Sequence, residues 1–592
     1  MADEINIKID HDLSENKIFS IEKDGHVFPL SSRIDAEGVS ELYSKRYGND
    51  KFFNTIILFG FSDGRIIRNF LKNMSEGGGI IVFEPSEEIF KIAKKEFAVD
   101  DIINDKRVTI VTGKENLLTL FVYVMGEIPI NMAKDLQYAV LPNYDVIFYD
   151  ICKKWQDLIF SELINSDINN NTLINLHDKF VNNFIDNMPL LIRDSDITML
   201  IDNFKRYDFA DIPAIIVGAG PSLDKNIKYL KDMERKVFII ATDASLKTLV
   251  KYGIRCHLAI NADLNMPSKF FEDPIMKNIG LVTGVNANKG LLSVHPINNF
   301  YLYSSFEGVC DGIFGKTYDH EYYDLESGGS VSCNAYSLAK LLGFKKIIFI
   351  GQDLAYTGGK LHTDTFNKAH DTTDEKFKEG RTFVKVEDWD GNELETDFQM
   401  AAYLKWFNKK FEIDELDNIK IYDATEGGAK KEHAERIALN EALMTLTSRE
   451  IDFFSIINNT RKTFSKKSRS KAIKKLRRVP TRLRHLRSEL YEKKEHFLLL
   501  SNEYNDKSND PAFLKKLMKG FDDSLIIKTE PKLLNLIYFE NGYADNALNN
   551  VIFDEHMPFD KVLKTYSDYF NKYYETCSSL IDRIEDKWKN IS

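Results

Sequence analysis

Between residues 214 and 351, short apolar runs of strand length recur: AIIVG (214–218), VFIIAT (237–242), HLAINAD (257–263), LVTGV (281–285) and KIIFIG (346–351). Runs this short and this apolar suit strands buried on both faces. The helix-length segments between them call for parallel crossovers. ASLKTLVKYG (244–253) and SCNAYSLAKLLGF (332–344) read as such helices, and DNIKIYDAT (417–425) reads as the closing strand. The same grammar opens the chain: NTIILFG (54–60), a FSDG loop, the helix-like RIIRNFLKNM (65–74), then IIVFE (80–84), EEIFKIAKKEF (87–97) and RVTIVTG (107–113). After residue 435 the pattern changes to i, i+3, i+4 apolar spacing with few glycines. The expected fold is therefore α/β: two Rossmann-like parallel-sheet domains, over 1–180 and 181–435, followed by an all-α domain over 436–592.

The chain has 592 residues, about four times a typical ~150-residue domain. Its 43% hydrophobic and 29% charged content excludes disordered and collagen-like classes. No window approaches 18 uninterrupted apolar residues, so no membrane span is expected. The start, MADEINIKIDHDLS, is acidic and lacks an apolar core, so no signal peptide is expected. Five scattered cysteines without a C-x-x-C pair argue against a disulfide framework or structural zinc and fit a reducing cytoplasm. The net charge of −11 opposes nucleic-acid binding. Against that balance, the stretch from Arg461 to Arg487 holds 13 Lys or Arg and no acid. It reads as a solvated helix face, an acidic-partner surface or a contact to anionic lipid.

The most informative segment is AIIVGAGPSLDKNIKYLK (214–231). A strand ends at Gly218, Gly220 permits a tight turn, and Pro221–Ser222 opens a helix. Free N–H groups and the positive dipole end there suit a nucleotide phosphate; the alternative is a tight turn without a ligand. Asp243, Asn261 and Asp263 follow the next two strands. They face the same crevice or cap the elements that follow. Ser330 and Ser332 sit at a second Gly-rich helix start. Asp353 lies just past KIIFIG, and Tyr356, His362 and Asp364 lie in what reads as a flexible loop able to close over a ligand. His362 is the side chain suited to proton transfer near neutral pH, with a solvated loop histidine as the alternative. Asp388-Trp389-Asp390 forms a D-x-D, the segment that could hold a divalent metal. In the first block, Gly60, Gly64 and Glu84 form a degenerate version of a Rossmann-like methyltransferase turn, interrupted by Ser62 and Asp63; a structural or acceptor-positioning role is favoured over methyl transfer.

GAGPSLDKNIKYLK, GQDLAY (351–356) and ATEGGAK (424–430) together resemble the motility accessory factor family, bacterial flagellin glycosyltransferases with a DUF115-type central domain. More distantly, the central segment resembles bacterial sialyltransferases that use CMP-sialic acid, with G-A-G-P-S-L in place of G-N-G-P-S-L and G-Q-D in place of G-I-D. The resemblance implies transfer of a nonulosonic acid, pseudaminic or legionaminic, from its CMP-activated form to Ser or Thr of flagellin in the cytoplasm, in service of motility. It implies donor contacts from Gly218, Gly220, Pro221, Ser222, Asp243, Asn261, Asp263, Ser330 and Ser332, and catalytic roles for Asp353, Tyr356 and His362. No cofactor is required beyond the donor, and the metal reading of D-x-D is not needed. Flagellin is the implied partner, and a homo-oligomer is compatible. The His that serves the sialyltransferases as base is missing from GNELETDFQMAAYLKWF (391–407), where Asn392 lies nearest; Asp353, Glu393 and His362 are the candidates to replace it. Two rivals remain from the sequence. One is a pterin pyrophosphokinase, whose archaeal relatives share the G-x-G-P-S turn. The other is a non-catalytic flagellin-binding chaperone.

Overall fold

The computed structural model describes residues 5–47, 55–74, 79–114, 137–192, 196–264, 271–276, 279–294, 300–304, 309–314, 323–370, 373–378, 381, 383–446, 448–460, 466–508, 510–514, 517, 524–541, 558–589 and 591. The chain divides into two compact units. One comprises Met1–Asn171, Leu490–Ile527 and Gly542–Lys572; the other comprises Thr172–Glu489, Lys528–Asn541 and Tyr573–Ser592.

In the first unit, β1 (Asn6–His11), β2 (Lys17–Lys23) and β3 (His26–Pro29) form an antiparallel sheet. β4 (Thr55–Phe59), β5 (Gly79–Glu84), β6 (Val108–Thr112) and β7 (Gln137–Val140) form a second sheet in the order β6-β5-β4-β7, every neighbour parallel. The apolar runs of β4 and β5 are buried throughout, with Trp155 and Tyr144 in the same core. The three strands expected here are present. The antiparallel sheet and β7 were not expected, because β1 alternates only partly buried residues and β7 is four residues long.

In the second unit, β8 (Pro213–Val217), β9 (Phe238–Thr242), β10 (Leu258–Asn261), β11 (Gly280–Gly284), β12 (Phe300–Tyr303) and β13 (Lys346–Ile350) belong to an eight-stranded sheet. β14 (Phe383–Glu387) and β15 (Glu393–Asp397) form a separate hairpin. β16 (Lys420–Asp423) and β17 (Glu435–Arg436) complete the sheet, whose order is β12-β11-β10-β9-β8-β13-β16-β17. Every pairing in it is parallel. β16 is therefore not the closing strand, since β17 pairs outside it with Tyr422 opposite Glu435. A two-residue strand carries no periodic signal, so the sequence could not show it.

The chain adds strands outward from β8 to β12, then returns to lay β13 on the other side of β8. The winding direction reverses between β8 and β13, and an open α/β sheet places its ligand crevice at such a point. Among the described residues of the last quarter, the elements are helical, as expected, including Val479–Lys507 and Phe559–Trp588. Among the described residues no helix is long and apolar enough to cross a membrane.

The sheet core is aromatic where β13 meets its covering helices. Phe349 is fully buried, with ring centroids 5.9, 5.3 and 5.5 Å from Tyr336, Phe407 and Phe411. Phe349→Ala is expected to cost about 3–5 kcal/mol, from lost burial and the cavity left behind. Leu416→Ala, at a residue 82% exposed, should be neutral. Urea denaturation of both variants checks the contrast.

Candidate functional site

The crevice begins with two strand ends in register, Val217 beside Ile350. Past them the chains cross closely. The Gly218 amide donates to the Ile350 carbonyl at 2.9 Å, and the Gly220 amide to the Gly351 carbonyl at 2.8 Å. A Cβ on Gly220 would stand 2.0 Å from an Asp353 carboxylate oxygen, and one on Gly218 would stand 2.5 Å from the Gly351 carbonyl. Both glycines are thus required by the approach of one turn to the other. Their amides, which the sequence offers to a phosphate, are committed inside the protein. Pro221 has no N–H to offer. The helix expected after the turn is short: one α-helical turn over Leu223–Asn226 and a 3₁₀ turn over Ile227–Leu230.

Asp353 closes the knot. Its carboxylate accepts from the Ser222 hydroxyl at 2.6 Å, the Ser222 amide at 3.3 Å and the Thr357 hydroxyl at 2.6 Å. Its carbonyl accepts from the Ala429 amide at 2.7 Å. Burial pushes its pKa upward, against the opposing pull of the two hydroxyls and of Lys431. Asn226 Nδ2 reaches the Ala424 carbonyl at 2.7 Å, and the Gln352 amide reaches the Thr425 hydroxyl at 3.4 Å. The three motifs quoted from the sequence are therefore in direct contact. Beside them lies a fully buried ion pair that the sequence did not signal. Lys431 Nζ is 3.0 Å from Asp423 Oδ2, which also accepts from Trp389 Nε1 at 2.8 Å.

The neighbouring strand ends carry a polar ladder. Asn261 Nδ2 donates to Asp243 Oδ2 at 2.6 Å, and the Thr283 hydroxyl donates to Asn261 Oδ1 at 3.1 Å. Asp243 also accepts from the Ala244 amide at 2.7 Å, so it caps the next turn as well as joining the ladder. All three ladder residues are buried, while Asp263 is exposed. Burial raises the Asp243 pKa to about 6, against the lowering effect of Asn261. Thr283, not singled out from the sequence, fixes which way the Asn261 amide faces.

Ser330 is the N-cap of the Val331–Leu341 helix, accepting from the Ser332 amide at 3.2 Å, and Ser332 lies buried in the first turn. The loop after β13 is not the open flap read from the sequence. The Tyr356 amide bonds to the Glu395 carbonyl at 2.8 Å, and the Thr363 amide to the Ala219 carbonyl at 3.0 Å. His362 is half-buried beside that last bond, its ring centroid 4.0 Å from Phe366. Tyr356 is buried, with its hydroxyl 3.4 Å from Asp397 Oδ2 and its pKa pushed up to about 12 by burial. Asp364 is exposed and pairs with Lys360 at 2.8 Å.

Glu393 and Asn392 lie in the β14–β15 hairpin. Glu393 pairs with Lys385, and Asn392 bonds to Asp388. Asp388 also accepts from the Asp390 amide at 2.8 Å, and Asp390 pairs with Arg436 at 2.7 Å, so the D-x-D forms the hairpin turn. Among the described residues, no three His, Cys, Asp or Glu group to hold a metal. In the first unit, the Gly60 turn is filled by Tyr144, and a Cβ on Gly60 would stand 2.8 Å from that ring. Buried Glu84 accepts from the Phe61 amide at 2.8 Å, the Tyr144 hydroxyl at 2.6 Å and the Ser86 amide at 2.9 Å; burial raises its pKa to about 7. The acid that ends β5 holds its own loop.

Residues 182–359 match the family model described as 6-hydroxymethylpterin diphosphokinase MptE-like. Among solved structures, the Maf glycosyltransferase from Magnetospirillum magneticum AMB-1 is similar to this chain at a TM-score of 0.55 and 12% identity, covering 99% of this chain and 93% of that one. No curated protein matches the chain. The motif-based resemblance to motility accessory factors is thus borne out at the level of the fold. Neither match bears on the more distant sialyltransferase resemblance.

Two predictions follow from the geometry. Gly220→Ala forces the two turns apart and should destabilise the second unit by at least about 2 kcal/mol, the scale of a clash in a packed site; chemical denaturation measures it. Asp243 has a pKa of about 6 in the fold against about 3.8 for an ordinary aspartate. The stability linked to it is present below about pH 4 and is lost as pH rises through about 6, by up to about 3 kcal/mol at 1.36 kcal/mol per pKa unit. Asp243→Asn should flatten that part of the slope between pH 4 and 7.5.

Proposed function

We propose that this protein transfers a nonulosonic acid, pseudaminic or legionaminic, from its CMP-activated form to Ser or Thr hydroxyls of flagellin in the cytoplasm. The observation that carries the reading is the fold likeness to a Maf glycosyltransferase over 99% of the chain, flanking regions included. The crevice supports it chemically. Asp243 and Asn261 offer a carboxylate and an amide for ribose hydroxyls or a base edge, with Thr283 holding the amide in one orientation. Gly218, Gly220, Pro221 and Ser222 shape the floor, and Ser330 and Ser332 open a helix whose N-terminus favours negative charge. Asp263 stands exposed at the rim.

Catalysis in this reading needs a base for the acceptor hydroxyl and donors for the leaving phosphate. His362, half-buried beside the Gly-rich turn, is the better base. Asp353 has its carboxylate oxygens engaged by Ser222 and Thr357, and it acts by holding the turn. Tyr356 keeps its proton across the physiological range and donates it to Asp397 Oδ2, so its hydroxyl reaches a leaving phosphate only by giving up that bond.

A second reading is kept alive by the family-model match over 182–359, which points to diphosphate transfer from ATP to a pterin. Calorimetry with CMP and ATP separates the two; CMP preference is expected, and ATP preference would overturn the glycosyltransferase reading. Flagellin incubated with the protein and a CMP-nonulosonic acid should gain the mass of the sugar. His362→Ala should lower that transfer by about 10²-fold or more, the scale of a lost general base, without weakening CMP binding.

A further inference from the structure

The leaving phosphate of the proposed reaction needs a partner that the Gly-rich turn does not supply. The Gly218 and Gly220 amides, and both donors of Ser222, are already bonded within the protein. Lys431 is fully buried against Asp423. A different cation stands beside the loop that follows β13. Arg381 donates through Nη1 to Asp397 Oδ2, the same oxygen that faces the Tyr356 hydroxyl. Lys378 Nζ lies 4.8 Å from the centre of the Tyr356 ring.

Asp397 is a rigid anchor. It is buried, it ends β15, and its other oxygen caps the Phe398–Glu415 helix by accepting from the Met400 amide at 2.8 Å. Arg381 itself keeps 31% of its side chain exposed, and the described contacts use one of the five donors of its guanidinium. The cluster also reaches the second Gly-rich helix start. Tyr403 feels the charges of both Arg381 and Asp397, and its ring lies where a Cβ on Gly329 would meet it at 2.7 Å. A planar cation held by a buried carboxylate and still 31% exposed is suited to a phosphate.

We propose that Arg381 is a catalytic residue of the transfer, neutralising the phosphate of the CMP donor as it leaves, a role that rests on the glycosyltransferase reading. The bond from the anomeric carbon to the phosphate oxygen breaks, and its electron pair stays on that oxygen. The Ser or Thr oxygen forms the new bond to carbon, its proton passes to the base, and CMP departs as a phosphate monoester. The negative charge that grows on the phosphate is met by the Arg381 guanidinium, whose donors beyond the one given to Asp397 are not used in the described contacts.

The test compares CMP with cytidine, which differ only by the phosphate. Wild-type protein should bind CMP at least tenfold tighter than cytidine by calorimetry. Arg381→Gln should erase that gap by weakening CMP alone, and should lower kcat for sugar transfer about 10²-fold; Arg381→Lys should recover part of both. Because Arg381→Gln leaves Asp397 buried without its cation, the double variant R381Q/D397N is measured alongside, with thermal melting confirming that it folds. A full CMP-over-cytidine gap in the folded variants overturns the role of Arg381 while leaving the glycosyltransferase reading intact. A wild-type protein with no preference for CMP over cytidine overturns both.

Discussion

One contact organises the second unit: the carboxylate of Asp353 against the hydroxyl and amide of Ser222. It joins the ends of the two strands between which the sheet reverses its winding. Those ends are far apart in sequence, and loop closure over such a distance is entropically costly. The contact holds because both turns are stripped of side chains at Gly218, Gly220 and Gly351, so backbone meets backbone at hydrogen-bond distance. A buried carboxylate is costly without partners, and Asp353 has three donors around it. The ATEGGAK segment then closes over its far side through Ala429.

This closed knot separates the floor of the crevice from its working walls. The floor is rigid and internally bonded. The walls carry two sets of polar groups bonded among themselves: the Asp243–Asn261–Thr283 ladder, and the Tyr356–Asp397–Arg381 group, in which Arg381 stays partly exposed. Both walls are positioned from behind by buried hydrogen bonds, so their geometry is set before any ligand arrives, the arrangement that limits the reorganisation a charged substrate demands. The first unit shows the opposite outcome for the same ancestral-looking grammar. There, Tyr144 fills the turn at Gly60 and bonds to Glu84.

Much of the fold was legible in the sequence. Strands buried on both faces announce themselves as unbroken apolar runs, and the ones read this way are present in the parallel sheets. What escaped were elements without a strong period, namely the half-buried antiparallel sheet at the start, β7, the β14–β15 hairpin and two-residue β17, together with β12, an apolar run buried throughout but only four residues long. In the site, the three quoted motifs meet in the fold, and the structure adds local tasks that no motif announced. Ser330 caps a helix, the D-x-D turns a hairpin, and the loop carrying Tyr356 and His362 is tied down rather than open.

Thr283, Lys431, Asp397 and Arg381 had no local signal at all. Each is an ordinary residue in sequence, and each becomes informative only through a partner brought to it by the fold. The sequence by itself determined that parallel sheets form and where their strands end, because burial and turn chemistry are written in short windows of residues. The tertiary structure alone decided which amides are bonded within the protein, which carboxylates are engaged and which cation a buried carboxylate holds. Those outcomes depend on contacts between segments tens to hundreds of residues apart, which no local pattern encodes.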